Sequence, residues 1–560
     1  MKKTILGIAA LGMAATAWAA PARPGLFTYT QPDGTRITIS MTGDEYGHRI
    51  FAADGTELAD DGTGRLVPLA QVDLKREGTP RLKRKAAPSV MTVSADGTSF
   101  NPGICPASFP AKGEGRALVV LVEYKDVKFD CEDPHDYFSR MLNEEGFKDY
   151  GATGSVRDFF IENSMGQFKP QFDVFGPLTL EYNRIHYGKN TAWGDDAAPE
   201  EMAIEACRQL DDIIDFNDYD QDGDGFIDNI FVFYAAKGEN SGGSAGTVWP
   251  HSADISDLRD DIFEFDGVRL NHYACSNETM ETYSGERPDG IGTFIHEFSH
   301  VLGLPDLYST VYNNAFTPGE WSTLDTGPYN NEGRTPPYYS AYERFALGWL
   351  QPEHLSAGTH TLEAVNESNH AYFVPTDSPD EYFLLECRVR KGYDRYIPGE
   401  GMLVWHVDYD ETAWYENTVN NERNHQRVDL VEADNRQTGA TRPGDAFPGT
   451  SGIRSFAQTT LPAFESWQGK WVGFELSDIS FNGRTVTFTV TGEGSGINGV
   501  TGESDWQVSD GMLTAVAPVS VYNLGGMAVA HLNPGETRDL TGLGAVIIVS
   551  PAGASKYLAR

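Results

Sequence analysis

His296-Glu297-Phe298-Ser299-His300-Val301-Leu302-Gly303-Leu304-Pro305-Asp306 decides how this chain is read. Two histidines four positions apart lie one turn apart on one helical face, so both imidazoles can address a single metal ion. A catalytic zinc takes three protein ligands and keeps a fourth position for water. Glu297, beside the first histidine, can accept a proton from that water and deliver it to a leaving amine. Gly303 can end the helix in a left-handed conformation, and Pro305 stops its continuation. The chain then turns back and makes Asp306 a candidate third ligand. A rival is Glu343, on the later helical stretch Tyr339-Ser340-Ala341-Tyr342-Glu343-Arg344-Phe345.

A second metal pattern lies upstream. Asp218, Asp220, Asp222, Asp224 and Asp228 fall within eleven residues that also hold Gly223 and Gly225. Alternate carboxylates on a glycine-permitted curve can wrap one calcium ion with oxygen ligands. Counted from Asp220, position 12 is Phe231 rather than the bidentate glutamate of an EF-hand, and a strand follows instead of a helix. The reading is an EF-like calcium loop in another setting, with a structural role. The alternative is an exposed acidic turn.

The bulk numbers exclude several classes. At 560 residues the chain is long enough for about three or four domains. Its formal net charge of −38 repels nucleic acid and anionic membrane. Lys2 and Lys3, an apolar run from Ile5 to Ala17 and the small-residue site Ala17-Trp18-Ala19 describe a secretory signal peptide, residues 1–19. No later segment has about 18 uninterrupted apolar residues, so no transmembrane helix is expected, and the chain is expected outside the cell or on its surface. Five cysteines, Cys105, Cys131, Cys207, Cys275 and Cys387, include no Cys-x-x-Cys pair. In an oxidising compartment one or two disulfides can form, leaving at least one thiol. Cys105 is read as a partner of Cys131 or an inert thiol, in preference to a thiolate that blocks the zinc.

The pattern outward from the histidines predicts an α/β (α+β) catalytic domain with flanking all-β domains. Residues 20–112 read as a small β-rich propeptide that ends in a basic linker carrying Lys75, Arg76, Arg81, Lys83, Arg84 and Lys85, a stretch open to trypsin-like nicking. Residues 113–354 form the catalytic unit. Ala117–Val122 and Ile230–Tyr234 are buried strands, and Val156–Ser164 and Glu200–Leu210 are helices. Residues 355–491 show short strands at sandwich spacing. After a glycine-rich linker, residues 503–560 form a small C-terminal β domain.

Several segments resemble the immune inhibitor A family of secreted metallopeptidases. The stretch from Thr293 to Tyr308 carries the resemblance, with Trp321-Ser322-Thr323-Leu324-Asp325-Thr326-Gly327, Gly154-Ser155-Val156-Arg157-Asp158-Phe159-Phe160 and Glu381-Tyr382-Phe383-Leu384-Leu385-Glu386. The motif continuing to Asp306 is similar to that of the metzincins, so the resemblance implies a zincin-type fold. It further implies a secreted, propeptide-bearing endopeptidase acting on proteins or peptides, with zinc and calcium bound. The related segment usually carries methionine where this chain has Leu324, which is close to methionine in volume and can fill the same space. Tyr329, Tyr338 and Tyr339 are candidates for an oxyanion-stabilising tyrosine. The C-terminal unit resembles por-type sorting tails, which would link it to outer-membrane secretion machinery; an accessory β domain is the alternative. A rival functional class is a noncatalytic surface adhesin with a vestigial zinc site. Glu297 argues against that class, because a purely structural zinc has no use for a base.

Overall fold

The computed structural model describes residues 17–44, 47–72, 101–191, 194–282, 285–311, 315–492, 506–509, 512–523, 528–540, 543–550 and 553–559. The apolar core of the expected signal peptide, the basic linker and the glycine-rich linker after Gly492 lie outside the described residues.

The first strand, β1 (Ala17–Ala19), belongs to the catalytic sheet and is treated with it below. An antiparallel meander follows, β2 (Phe27–Thr30), β3 (Arg36–Asp44), β4 (Gly47–Ala52), β5 (Glu57–Asp60) and β6 (Leu66–Pro68), five strands in sequence order. Apolar and polar residues alternate along it, so one face carries Phe27, Tyr29, Ile39, Met41, Ile50 and Leu58. That face closes on Trp249 of the next unit. The two units therefore share a core.

The catalytic unit is built on a mixed sheet. Parallel strands β7 (Arg116–Glu123), β8 (Gln171–Thr179), β9 (Ile230–Lys237) and β13 (His272–Thr282) lie in the order β13-β9-β7-β8. β14 (Gly285–Pro288) folds back on β13 as a hairpin. β10 (His251–Asp254) runs antiparallel to β13, and β1 runs antiparallel to β10. A smaller hairpin, β11 (Phe263–Phe265) and β12 (Val268–Leu270), stands apart. Leu118 to Val122 are 0% exposed, because helices cover both faces of the sheet. One face meets α1 (Pro134–Asn143), α2 (Val156–Asn163), α6 (Ile291–Val301) and α7 (Ala341–Ala346). The other meets α4 (Glu200–Leu210), with the short α3 (Arg184–Gly188) and α5 (Ile255–Leu258) at its border.

Residues 353–492, with the short strands β15 (Glu353–His354), β16 (Gly358–Glu363), β17 (Tyr372–Pro375) and β20 (Val428–Leu430), form two packed sheets in the orders β15-β17-β18-β19-β20 and β16-β22-β21. The long strands are β18 (Glu381–Arg388), β19 (Gly401–Asp408), β21 (Phe474–Phe481) and β22 (Thr485–Gly492). Phe383, Leu385, Val404, Phe474 and Phe488 fill the space between the sheets. Tyr382, Leu384, Leu403 and Trp405, on the opposite face of β18 and β19, enter the core of the catalytic unit. All eight residues of β18 are buried for that reason. Residues 101–111 also join that core: the Cys105 amide donates to the Gly303 carbonyl, and the Tyr342 and Tyr382 hydroxyls donate to the Gly103 and Pro102 carbonyls. The C-terminal strands, from Trp506 to Ala559, make one three-stranded and one four-stranded sheet around Leu513, Val521, Val546 and Ile548.

The disulfides that the sequence allowed do not form, and Cys105 is the buried, unpaired thiol of the two readings given for it. All five cysteines are free, and four of them are buried. They sit on separate elements among apolar neighbours, and burial pushes the Cys131 and Cys387 thiols up to about 12. Among the described residues no helix is long and apolar enough to cross a membrane.

Candidate metal centre

Helix α6 is buried along its whole length. Its apolar side lies against the sheet, with the Phe294 ring 4.1 Å from that of Phe231. His296, Glu297 and His300 lie on the helix toward the cleft. The helix ends as the sequence requires: the Gly303 amide donates to the His300 carbonyl at 2.8 Å and the Leu304 amide to the Ser299 carbonyl at 3.0 Å. Gly303 has φ +94°, and a Cβ there would stand 2.5 Å from the Cys105 carbonyl oxygen. Glycine is the residue that meets both constraints.

The turn delivers Asp306 to the histidines. Asp306 Oδ1 lies 3.2 Å from His296 Nε2 and 3.3 Å from His300 Nε2, and the two Nε2 atoms are 3.2 Å apart. A tetrahedral zinc with bonds of about 2.0–2.1 Å spaces its ligand atoms by about 3.3 Å, so the three atoms fit that ion. The other ring nitrogens are committed: His296 Nδ1 bonds the Thr323 carbonyl and His300 Nδ1 the Leu304 carbonyl, both at 2.8 Å. These bonds fix each ring with Nε2 toward the site. Asp306 is held from outside the catalytic unit, where Asn417 Nδ2 donates to its Oδ2 at 2.6 Å.

Glu343 is elsewhere. Its carboxylate closes the capping box of α7 with Ser340 and accepts from Ser322 Oγ at 2.7 Å. Ser322 Oγ in turn accepts from the Leu324 amide at 3.0 Å. Glu343 thus supports, from below, the turn that offers the Thr323 carbonyl to His296. Leu324 is completely buried beneath the site, and its carbonyl accepts from Leu307 at 2.8 Å.

The charges favour a cation. Burial opposes protonation of both imidazoles. At His296 the Asp306 carboxylate overrides burial and holds the ring up at about 9, whereas the His300 ring is pushed down. Burial would raise Asp306, but the two rings hold it below the usual carboxylate range. The group keeps one negative charge and draws in one positive charge. Burial pushes Glu297 well above the usual range, opposed by His296. Its Oε2 is buried with no hydrogen-bond partner among the described residues.

The cleft over Glu297 holds the N-terminal segment. The Ala20 amide donates to Glu297 Oε1 at 2.6 Å. Trp249 Nε1 donates to the Ala20 carbonyl at 2.8 Å, and the Tyr329 hydroxyl to the Pro21 carbonyl at 2.5 Å. Asn240 Nδ2 supports that hydroxyl at 3.0 Å. Of the three candidate tyrosines, Tyr329 therefore reaches the cleft. The Tyr338 and Tyr339 hydroxyls bond Glu162 and Ser299. His251, two residues after Trp249, is structural: both ring nitrogens are bonded, and burial pushes it down to about 4. Sequence reasoning missed Asn240 and Asn417.

The aspartate loop brings together Asp220, Asp222 and Asp224, whose oxygens lie within 4.8 Å of one another. Gly223 and Gly225 take φ +74° and +89°, which gives the tight curve. Two of the five expected ligands are not in this group. Asp218 turns to Arg116, 2.9 Å away. Asp228 accepts from Gln221 Nε2 at 2.6 Å.

Comparison with known proteins follows the same segment. The profile of the immune inhibitor A peptidase M6 catalytic domain matches residues 112–351. Immune inhibitor A of Bacillus thuringiensis subsp. alesti is 23% identical over 455 residues, 69% of this chain and 64% of the relative. Pre-pro-metalloprotease PrtV of Vibrio cholerae serotype O1 is 26% identical over 273 residues, 42% of this chain and 29% of the relative. The chain thus spans a little under two thirds of the first relative and less than a third of the second.

Proposed function

Because residues 112–351 belong to the immune inhibitor A peptidase family, we propose that the chain is a secreted zinc-dependent endopeptidase of zincin fold. It is made in a latent form and stabilised by calcium. The observation that carries the reading is the convergence of His296 Nε2, His300 Nε2 and Asp306 Oδ1 within 3.3 Å beside the buried carboxylate of Glu297.

His296, His300 and Asp306 would hold zinc, which when bound supplies a nucleophilic water near neutral pH and polarises the scissile carbonyl. Glu297 takes the proton of that water and passes it to the leaving nitrogen. Its Oε1 already faces a main-chain nitrogen, that of Ala20. A carboxylate beside the three metal-ligating atoms and aimed at a main-chain nitrogen is placed to carry a proton between the two. While residues 20–23 stay in the cleft, the base is covered and substrate is shut out. A nick in the basic linker, between Lys75 and Lys85, followed by departure of the prosegment opens the site. The Asp220, Asp222 and Asp224 loop would take the calcium. The leader at residues 1–19 directs the chain out of the cell.

The test is cleavage of a quenched fluorescent protein substrate by linker-nicked protein, beside Glu297→Ala and a chelator-treated sample. Activity lost in both controls establishes the peptidase. No cleavage by folded, nicked and zinc-loaded protein would return the chain to the noncatalytic binding class.

A further inference from the structure

Residues 17–23 lie in the cleft as an extended peptide. β1 pairs antiparallel with β10, Ala17 opposite Ala253 and Ala19 opposite His251. Beyond it the cleft grips main chain at three points: Trp249 Nε1 on the Ala20 carbonyl, the Tyr329 hydroxyl on the Pro21 carbonyl, and the Asn240 carbonyl on the Arg23 amide at 2.9 Å. An exposed strand edge binds extended peptides in this way, through main-chain bonds that ignore sequence. The base must reach the leaving nitrogen of a substrate, so the Ala20 nitrogen marks that atom. A substrate's scissile bond would then end at the nitrogen that takes the place of Ala20 N, which becomes the chain's own terminus when the leader at residues 1–19 is removed, and Arg23 holds the fourth position on the leaving side.

Arg23 is 7% exposed, and its Nη1 is buried without a hydrogen-bond partner among the described residues. Its guanidinium lies 5.8 Å from the Phe27 ring centroid, and its charge reaches the buried Asp289, before α6. Burial pushes Asp289 up to about 6, while bonds from Thr293, Gly290 and Asn277 and the Arg23 charge draw it down. Two more basic side chains of the N-terminal unit meet carboxylates of the catalytic unit: Arg36 lies 4.0 Å from Glu281, and His48 lies 3.4 Å from Glu239. The catalytic-unit cation on this rim is Lys237, 3.0 Å from Glu281 and 2.9 Å from Glu286. Glu239, Glu281, Glu286 and Asp289 thus lie on this rim once the prosegment has gone, with Lys237 between Glu281 and Glu286. An open cavity of about 380 Å³ between the two units is bordered by Arg23 and Arg36 on one side and by Glu281 and Thr282 on the other.

We propose that the leaving side of this cleft is a subsite for a basic side chain. Asp289 and Glu281 select arginine or lysine at the fourth residue after the scissile bond, and Trp249, Tyr329 and Asn240 hold the substrate main chain. The assignment rests on the zinc-peptidase reading above. Placing a positive rather than a negative side chain against these carboxylates sets a selectivity of about tenfold or more.

The experiment uses the nicked chain and three quenched peptides, identical except for arginine, alanine or glutamate at that fourth position. Cleavage sites are read by mass spectrometry, and a general protein substrate is digested in parallel. Arginine should exceed glutamate in kcat/KM by about tenfold or more, and Glu281→Gln and Asp289→Asn should each flatten the order. Glu281 sits on a strand rim, so its variant keeps the test valid if Asp289→Asn fails to fold. Equal rates for all three peptides, with the protein substrate digested, would overturn the subsite. Failure to digest the protein substrate would instead overturn the peptidase reading.

Discussion

Asn417 and Asp306 are joined twice: Asn417 Nδ2 donates to Asp306 Oδ2 at 2.6 Å, and the Asp306 amide donates back to Asn417 Oδ1 at 2.9 Å. The bonds cross 111 positions of sequence and link the β region to the candidate metal centre. Partners of this kind orient a ligand, and their loss costs about 10–100-fold in metal affinity. Asn417→Ala should therefore fold and yet lose zinc to a chelator at about that much lower concentration. Competition with a zinc indicator measures it. Undiminished retention would mean that the Gly303 turn alone fixes Asp306.

The choice between Asp306 and Glu343 can be tested on stability and zinc together. Glu343 is completely buried with Ser322 and Ser340, close to the ionic network of Arg388, Glu386 and Asp394. Removing one member of a buried charged network costs about 3–5 kcal/mol. Glu343→Ala should lower Tm steeply. Glu343→Gln, which keeps the bond with Ser322, should fold and hold zinc, and Asp306→Ala should fold and lose it. The opposite pattern in zinc content would make Glu343 the ligand.

Much of this arrangement was legible in the sequence, because its causes are local. The helix carrying His296 and His300 follows from their spacing and from Gly303 and Pro305, and apolar runs mark β7, β9 and β18. Asp306 was within reach because it lies six residues from His300. Asn417 and Trp249 were not. They meet Asp306 and Ala20 across 111 and 229 positions, which no periodicity encodes. Asp218 fitted the calcium spacing, but spacing cannot reveal Arg116 on a neighbouring strand. The disulfide expectation failed for a similar reason: compartment chemistry says that thiols can oxidise, not that they lie within reach of one another.

Asp445 gives a pH dependence with a definite sign. Its carboxyl is buried, and Oδ2 accepts from Trp321 Nε1 at 3.0 Å. Burial pushes it up to about 7, with Asp434 and Glu320 adding to the rise and Trp321 and Arg442 opposing it. The folded chain keeps this proton between about pH 4 and 7, where an unfolded aspartate has lost it. Stability from this group is therefore greatest below pH 4 and is lost as pH rises toward 7. Asn in its place mimics the protonated acid. Asp445→Asn should match the parent near pH 4 and exceed it at pH 8 by about 1–3 kcal/mol. Denaturant melts at the two pH values decide it, and a deficit at pH 8 would mean that the ionised carboxylate has a partner it needs.

The aspartate loop separates a calcium site from an acidic turn. Asp220, Asp222 and Asp224 crowd their oxygens within 4.8 Å, so without a cation the loop pays in repulsion. Calcium at about 100 times its Kd stabilises a folded protein by about 2.7 kcal/mol, which for a chain of 560 residues raises Tm by about 2–3 °C. Calcium added to zinc-loaded Glu297→Ala, which cannot digest itself, should produce that rise in calorimetry. Asp222→Asn in the same background should abolish the response. Asp218→Asn should leave it nearly intact, since Asp218 is paired with Arg116 at 2.9 Å. A calcium response lost through Asp218→Asn but kept through Asp222→Asn would mean that the ion sits nearer the strand end than the loop tip. No response in the parent would reduce the loop to a solvated turn.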